Sequence, residues 1–286
     1  MRRSILIALL AMPSTLSACT TREPAKAEPA DAVRPEPARA QRVQLELARV
    51  PDSLAQPVIA ALGLDAIGLI AARHRIDPDW HIYWRNPGDA GLPTRLTSTP
   101  GEGSSVVLGP TILPAPKRFE ASFGWADEAI LFVPILAGEG SLTIRSTWVA
   151  CQSEACVSGQ NEATLASSAP VEPVEPVEDV VLEAMLDRIP RPLGDRLVAH
   201  AWTRTDERVT LELTLAADAR AVELLPDASD PALFFADARF DPEQHTLSID
   251  WRVGSPGHPL PASQGVLAWT DASTTRYFEL SLPWPE

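Results

Sequence analysis

Cys151 and Cys156 lie in the stretch WVACQSEACVSG with four residues between them. Thiols this close can form a fixed staple, exchange electrons with another dithiol, or supply half of a metal site. A helix would not let them meet, because residues five apart point about 140° apart around its axis. A hairpin would. Directly opposed strand residues have Cα atoms about 4.5–5.5 Å apart, and a disulfide spans about 4.4–6.8 Å. The preceding run SLTIRSTWVA reads as a strand, so a hairpin closed by the pair is the expectation. On a regular strand Leu142, Ile144 and Trp148 share one face, and Thr143, Arg145, Thr147, Val149 and Cys151 share the other. Cys151 is therefore expected on the more polar face, near solvent, where a partner thiol can reach it. Glu154, between the cysteines, disfavours a thiolate and makes the reduced pair a slow nucleophile. A ring of six residues stabilises a fold by only roughly 2 kcal/mol, a modest return for a purely structural bridge. Zinc would need two more N or S ligands, and neither His74 nor His81 stands in ligand spacing with the cysteines. The three methionines form no cluster for copper, so no metal and no cofactor is expected. Spacing alone leaves staple and exchange pair both open.

The third cysteine, Cys19, belongs to a different feature. Met1-Arg2-Arg3 is a short basic start, Ser4 to Met12 are apolar, and Leu16-Ser17-Ala18-Cys19 follows. This is the layout of a secretory signal ending in a bacterial lipobox, whose cysteine becomes a lipidated first residue. Cleavage there removes Arg2 and Arg3, takes the formal charge from −14 to −16, and leaves Cys151 and Cys156 as the thiol pair. Such a charge argues against nucleic acid or anionic headgroups as partners. The compartment is oxidising, so disulfides form in it. Residues 20–40, rich in Pro and Ala with mixed charge, read as a tether reaching at most roughly 70 Å at about 3.3 Å per residue. Thr20 stands after the lipidated cysteine, which by the enterobacterial rule favours the outer membrane over the inner. The expectation is an anchored, periplasm-facing lipoprotein that does not itself span a membrane.

The elements that must position the pair read as mainly β. In DWHIYWR, Trp80, Ile82 and Trp84 alternate with His81, Tyr83 and Arg85, the period of a half-buried strand, and NPGDAGLP breaks it. AILFVPIL is a further strand candidate. APVEPVEPVE at 169–178 reads as a polyproline spacer. It leads into one short helix carried by Val177, Val181, Ala184 and Ile189, with Glu178 and Asp179 at its start, Arg188 at its end and Pro190 as its stop. RVTLELTL, HTLSIDWRV, GVLAWT and TRYFELSL follow as short strands. The expected architecture is an immunoglobulin-like β-sandwich over 41–168, a spacer and helix over 169–192, and a second β-sandwich-like domain over 193–286 in which no chemistry is evident.

The runs DWHIYWRNPGDAGLPT (79–94), GPTILPAPKRFE (109–120), FGWADEAILFVPI (123–135) and WVACQSEAC (148–156) occur in that order. Over about residues 60–168 the chain resembles the N-terminal periplasmic, disulfide-bond-corrector region of DsbD/ScsB-type thiol:disulfide interchange proteins. The helix and second β region resemble the longer ScsB form more loosely. The resemblance implies an immunoglobulin-like fold and a carrier of the thiol:disulfide oxidoreductase type, in a family linked to cytochrome c biogenesis. It implies that the domain takes reducing equivalents from a membrane electron transporter, DsbD- or CcdA-like. It then passes them to periplasmic thioredoxin-fold acceptors. Cys151 and Cys156 match the redox pair, with Cys156 the more exposed and first attacked. Phe123, Gly124 and Trp125 fall where the family has a cap loop over the disulfide, although core aromatics are an equal reading for Phe123 and Trp125. Trp80, Tyr83 and Trp84 fall in the same region, with core strand packing the better reading for Trp80 and Trp84. Relatives often place a proline just after the second cysteine, where this chain has Val157-Ser158-Gly159. With no membrane domain before Glu286, the donor is expected to be a separate polypeptide. The alternative is a lipid-anchored binding or assembly module with a purely structural disulfide.

Overall fold

A computed structural model describes residues 42–88, 91–120, 122–166, 176–227, 233–254 and 263–284. Cys19, its signal, the tether and most of the Val-Glu-Pro spacer lie outside the described residues. The described residues pack as one unit.

The first β region runs β1 (Val43–Arg49), α1 (Asp52–Leu62), β2 (Gly68–Ile76), β3 (His81–Tyr83), β4 (Arg95–Pro100), β5 (Val107–Leu108), β6 (Lys117–Phe119), β7 (Ser122–Ala126), β8 (Glu128–Ala137), β9 (Leu142–Cys151) and β10 (Cys156–Leu165). One sheet has the order β1-β2-β8-β5. The other has β10-β9-β3-β7-β6, with β4 also paired to β9. They form an immunoglobulin-like sandwich. Ile70, Val133 and Ile135 from the first sheet meet Leu142, Ile144 and Leu165 from the second.

β2 and β8 are buried on both faces. Leu69, Ala71, Ile130 and Phe132 point away from the sandwich and are covered by Ala55, Val58 and Ile59 of α1 and by Leu182, Leu186 and Ile189. Burial on both faces removes the alternation of apolar and polar residues that marks a one-sided strand. The helix α1, which interrupts its sequence with Pro57, has no counterpart in the sequence reading. The anticipated helix is present as α2 (Pro176–Asp187), but Leu182 and Leu186 form its buried face, and Ala184 is exposed. Arg188 does more than favour the helix end. Its guanidinium donates to the carbonyls of Ala115 at 2.8 Å and Pro116 at 2.6 Å, and stacks 4.8 Å from the Tyr277 ring. The end of α2 thus clamps the segment leading into β6.

The second β region has two further sheets. β11 (Arg191–Pro192), β18 (Thr275–Leu280), β17 (Gly265–Thr270) and β14 (Ala221–Pro226) form one. β12 (Leu197–Arg204), β13 (Arg208–Leu215), β16 (Thr246–Val253) and β15 (Leu233–Asp241) form the other. Leu211, Leu213, Ile249, Leu267 and Trp269 fill its core. It packs directly on the first region: Leu225 and Val266 join Phe123, Trp125 and Trp148 in one apolar cluster. Arg85 reaches Asp227 at 2.6 Å and Glu279 at 2.8 Å, so an ion-pair cluster seals the same boundary.

Inside the sandwich, His74 of β2 and Ser146 of β9 share a hydrogen bond of 2.8 Å between the two sheets. Burial pulls the His74 imidazole from 6.5 down to about 4. The unfolded chain therefore takes up this proton as pH falls below about 6.5, while the native protein resists until about 4. The group contributes its full stability above the upper value and removes about 3 kcal/mol by the time pH reaches the lower one. Urea midpoints of wild type and His74→Asn measured from pH 7 to 4 should show this: the variant has the shallower decline. Equal declines would contradict it.

Candidate functional site: the disulfide face

β9 and β10 pair in an antiparallel register that places Cys151 directly opposite Cys156. The two are joined, with Cα atoms 4.1 Å apart. Gln152 N donates to Ala155 O at 2.9 Å and closes the loop between them. The hairpin expected from spacing is the one observed. Parity along β9 also holds: Leu142, Ile144, Ser146, Trp148 and Ala150 are all buried. Exposure does not follow parity, however. Cys151 is only 3% exposed, whereas Cys156 is exposed. The reason is register. Cys151 lies one strand in from the edge, with β10 on one side and β3 on the other, and pairs with His81. Cys156 is on the edge strand.

The hairpin is held by a buried polar chain. The indole Nε1 of Trp148 donates to Oδ1 of Asn161, and Asn161 Nδ2 donates to the carbonyl of Val43 at 2.9 Å. This links the hairpin's core face to β1 of the opposite sheet.

Paired residues of an antiparallel sheet share a face. His81 pairs with Cys151 and Ala126, and Tyr83 pairs with Gly124, which pairs with Lys117. The disulfide face therefore carries Cys156, Cys151, His81 and Tyr83 in adjoining positions. The His81 ring is stacked on Phe119 at 4.8 Å and meets the edge of Tyr83 at 5.0 Å. Burial lowers the pKa of His81 and raises that of Tyr83.

Phe123 and Trp125 are placed differently from a cap loop. They are inside β7, 5% and 2% exposed, and they face the core shared with the second region. Of the two readings for these aromatics, the structure gives the core one. Gly124 is on the disulfide face, but as a strand residue; a Cβ there would lie 1.9 Å from the carbonyl oxygen of Ile82. The half-buried aromatic on the disulfide face is Phe119, at the end of β6. Trp80 and Trp84 are buried in the core, as the alternation in DWHIYWR requires.

Asn86, Gly88 and Gly91, from the NPGDAGLP stretch, border this face. Asn86 accepts from Gly88 N at 2.9 Å through Oδ1 and donates to Pro226 O at 2.8 Å, tying the turn to the second region. Gly91 has φ +86°, and a Cβ there would meet the Tyr83 ring at 2.3 Å. Only glycine allows that backbone to lie on the tyrosine. No group of three or more His, Cys, Asp or Glu that could hold a metal gathers among the described residues. No helix among them is long and apolar enough to cross a membrane.

The fold and this site define a β-sandwich whose edge hairpin is closed by a disulfide of one buried and one exposed cysteine. Residues 59–168 match the family model described as "Thiol:disulfide interchange protein DsbD, N-terminal", and over these residues the chain is similar to that domain. Among solved structures, the N-terminal periplasmic domain of ScsB from Proteus mirabilis is similar in fold. Its TM-score is 0.54 at 17% identity, over 75% of this chain and 87% of that one. No curated protein sequence matches the chain.

Proposed function

We propose that this protein is a periplasm-facing thiol:disulfide exchange carrier working through Cys151 and Cys156. The observation that carries the reading is the asymmetry of the pair: one cysteine at an exposed sheet edge, its partner buried one strand in. A thiolate of a donor dithiol attacks Cys156 Sγ, the intramolecular S–S bond breaks, and its electron pair goes to Cys151 Sγ. The donor's second thiolate then resolves the mixed disulfide and leaves the pair reduced. Oxidation by an acceptor disulfide runs the same sequence in reverse. The resemblance supplies the partner classes: a membrane electron transporter as donor and thioredoxin-fold proteins as acceptors. Cys19 would hold the carrier to a membrane by lipid, with residues 20–40 as tether, and the outer membrane is the favoured site. Phe119 takes the sheltering role expected of Phe123, because it lies on the face that carries the pair and stacks on His81 there.

The test is trapping in the native cell. Cys151→Ser leaves Cys156 able to attack but removes the resolving thiol. It should accumulate mixed disulfides that dithiothreitol releases. If neither Cys151→Ser nor Cys156→Ser captures a partner, the fixed-disulfide reading replaces this one.

A further inference from the structure

The buried member of the pair poses a chemical problem. Once Cys156 has attacked an acceptor, Cys151 must become a thiolate to resolve the mixed disulfide, and burial disfavours its thiolate. A proton acceptor must stand beside it, out of bulk water. His81 is the ionisable group directly across from Cys151 in the sheet, on the same face. Its ring is fixed between Phe119 and Tyr83, and its Nε2 is buried without a hydrogen-bond partner among the described residues.

We propose that His81 is the proton acceptor for Cys151 in the resolving step of exchange. This rests on the carrier reading above. His81 takes the proton from the Cys151 thiol as Cys151 Sγ attacks Cys156 Sγ in the mixed disulfide. The bond between Cys156 and the acceptor sulfur breaks, and the acceptor leaves as a thiolate with the electron pair. The imidazolium then passes its proton to that thiolate or to water. The cysteine pair has lost two electrons and the acceptor disulfide has gained them. In the opposite direction the imidazolium donates to Cys151 as it leaves.

The surroundings suit a base. Burial lowers the pKa of His81, so the imidazole is neutral and able to accept near pH 7. The strands packed on β3 bring little competing charge. β7 offers Ser122, Gly124 and Ala126 to this face, and β9 offers Val149 and Cys151. The other ionisable groups on this face are Tyr83 on its own strand, Lys117 on β6, Cys156 on β10 and Glu154 in the hairpin loop, with Arg95 of β4 opposite Thr147 and the Arg145–Glu162 pair farther along β9. Burial keeps the Tyr83 hydroxyl protonated beyond its ordinary range.

An aromatic disulfide such as dithiobis(nitrobenzoate) separates the two steps. Cys156 of the reduced full-length protein releases the first thiolate, and resolution by Cys151 releases the second. In His81→Gln the first phase should be unchanged and the second slowed roughly 10²-fold, the usual scale for a positioned base. The wild-type second phase should rise with pH as an imidazole titrates, and His81→Gln should lack that rise. His81→Ala should be slowed likewise and recover with added imidazole, which a merely structural role would not allow. If wild type exchanges readily and both variants resolve at its rate, His81 is not the base. If wild type itself shows neither phase, the carrier reading fails instead, whatever the variants do.

Discussion

In purified Cys151→Ser the remaining thiol is expected to react with small aromatic disulfides at least ~10²-fold faster than the remaining thiol in Cys156→Ser. Both proteins lack the disulfide and both keep one thiol, so composition does not separate them. Position does. Cys156 is exposed on an edge strand, while Cys151 is 3% exposed between β10 and β3. Burial in apolar surroundings favours the neutral thiol, and only the thiolate is nucleophilic. Each pH unit by which the thiol's titration rises removes about nine-tenths of the thiolate present near neutrality. Restricted access adds to this. A stopped-flow comparison at one pH decides the matter. Equal rates would mean that the two positions are equivalent in solution and that no cysteine is preferred as the point of attack.

Gly124→Ala is the substitution expected to damage the site most without touching a sulfur. A methyl there would stand 1.9 Å from the Ile82 carbonyl oxygen and 2.9 Å from its carbon. Both are backbone atoms of β3, so no side chain can rotate away. β3 and β7 must separate, and β3 is the strand that holds His81 against Cys151. A loss of more than about 3 kcal/mol is expected, beyond the ordinary range for overpacking, because the obstacle is main chain. The control is Gly63→Ala. Nothing lies within 4 Å of its Cβ position, so its cost is the left-handed φ of +63° alone. That costs about 1 kcal/mol. Denaturant midpoints of the two variants should differ severalfold in their displacement from wild type, and Gly124→Ala should also show faster reduction of the disulfide by dithiothreitol. A Gly124→Ala protein as stable as Gly63→Ala would show that β3 and β7 do not approach this closely.

Much of the fold was legible because one-sided burial leaves a period of two. RVTLELTL coincides with β13, and SLTIRSTWVA with all but the last residue of β9. The cysteine hairpin was legible from ring size and strand pairing together. β2 was not, because α1 and α2 cover its second face and its apolar run carries no alternation. α1 was hidden by its own Pro57. At the site, the placement of the aromatics was open in the sequence for a simple reason. Phe119 and Phe123 are four apart, which on one continuous strand would place them on the same face. Here the chain reverses between Phe119 and Ser122, which pair with each other, so Phe119 shares the disulfide face with Ser122 while Phe123 turns to the core. Glu120 at the reversal has φ +50°, and no glycine or proline marks the turn there. His81 was in view as a strand residue alternating with buried neighbours. Its meaning came only with the register that set it opposite Cys151.

Whether the Cys151–Cys156 disulfide cycles is written in its reduction potential. The full-length protein would be equilibrated in thiol–disulfide buffers of known potential, quenched with an alkylating agent, and its oxidised fraction read by mass. A carrier must give and receive electrons within the working range of exchange proteins, about −120 to −270 mV. A value inside that range is the expected result. A value below about −300 mV would rule out a carrier, because a bridge that stable resists reduction by any such donor and serves as a staple.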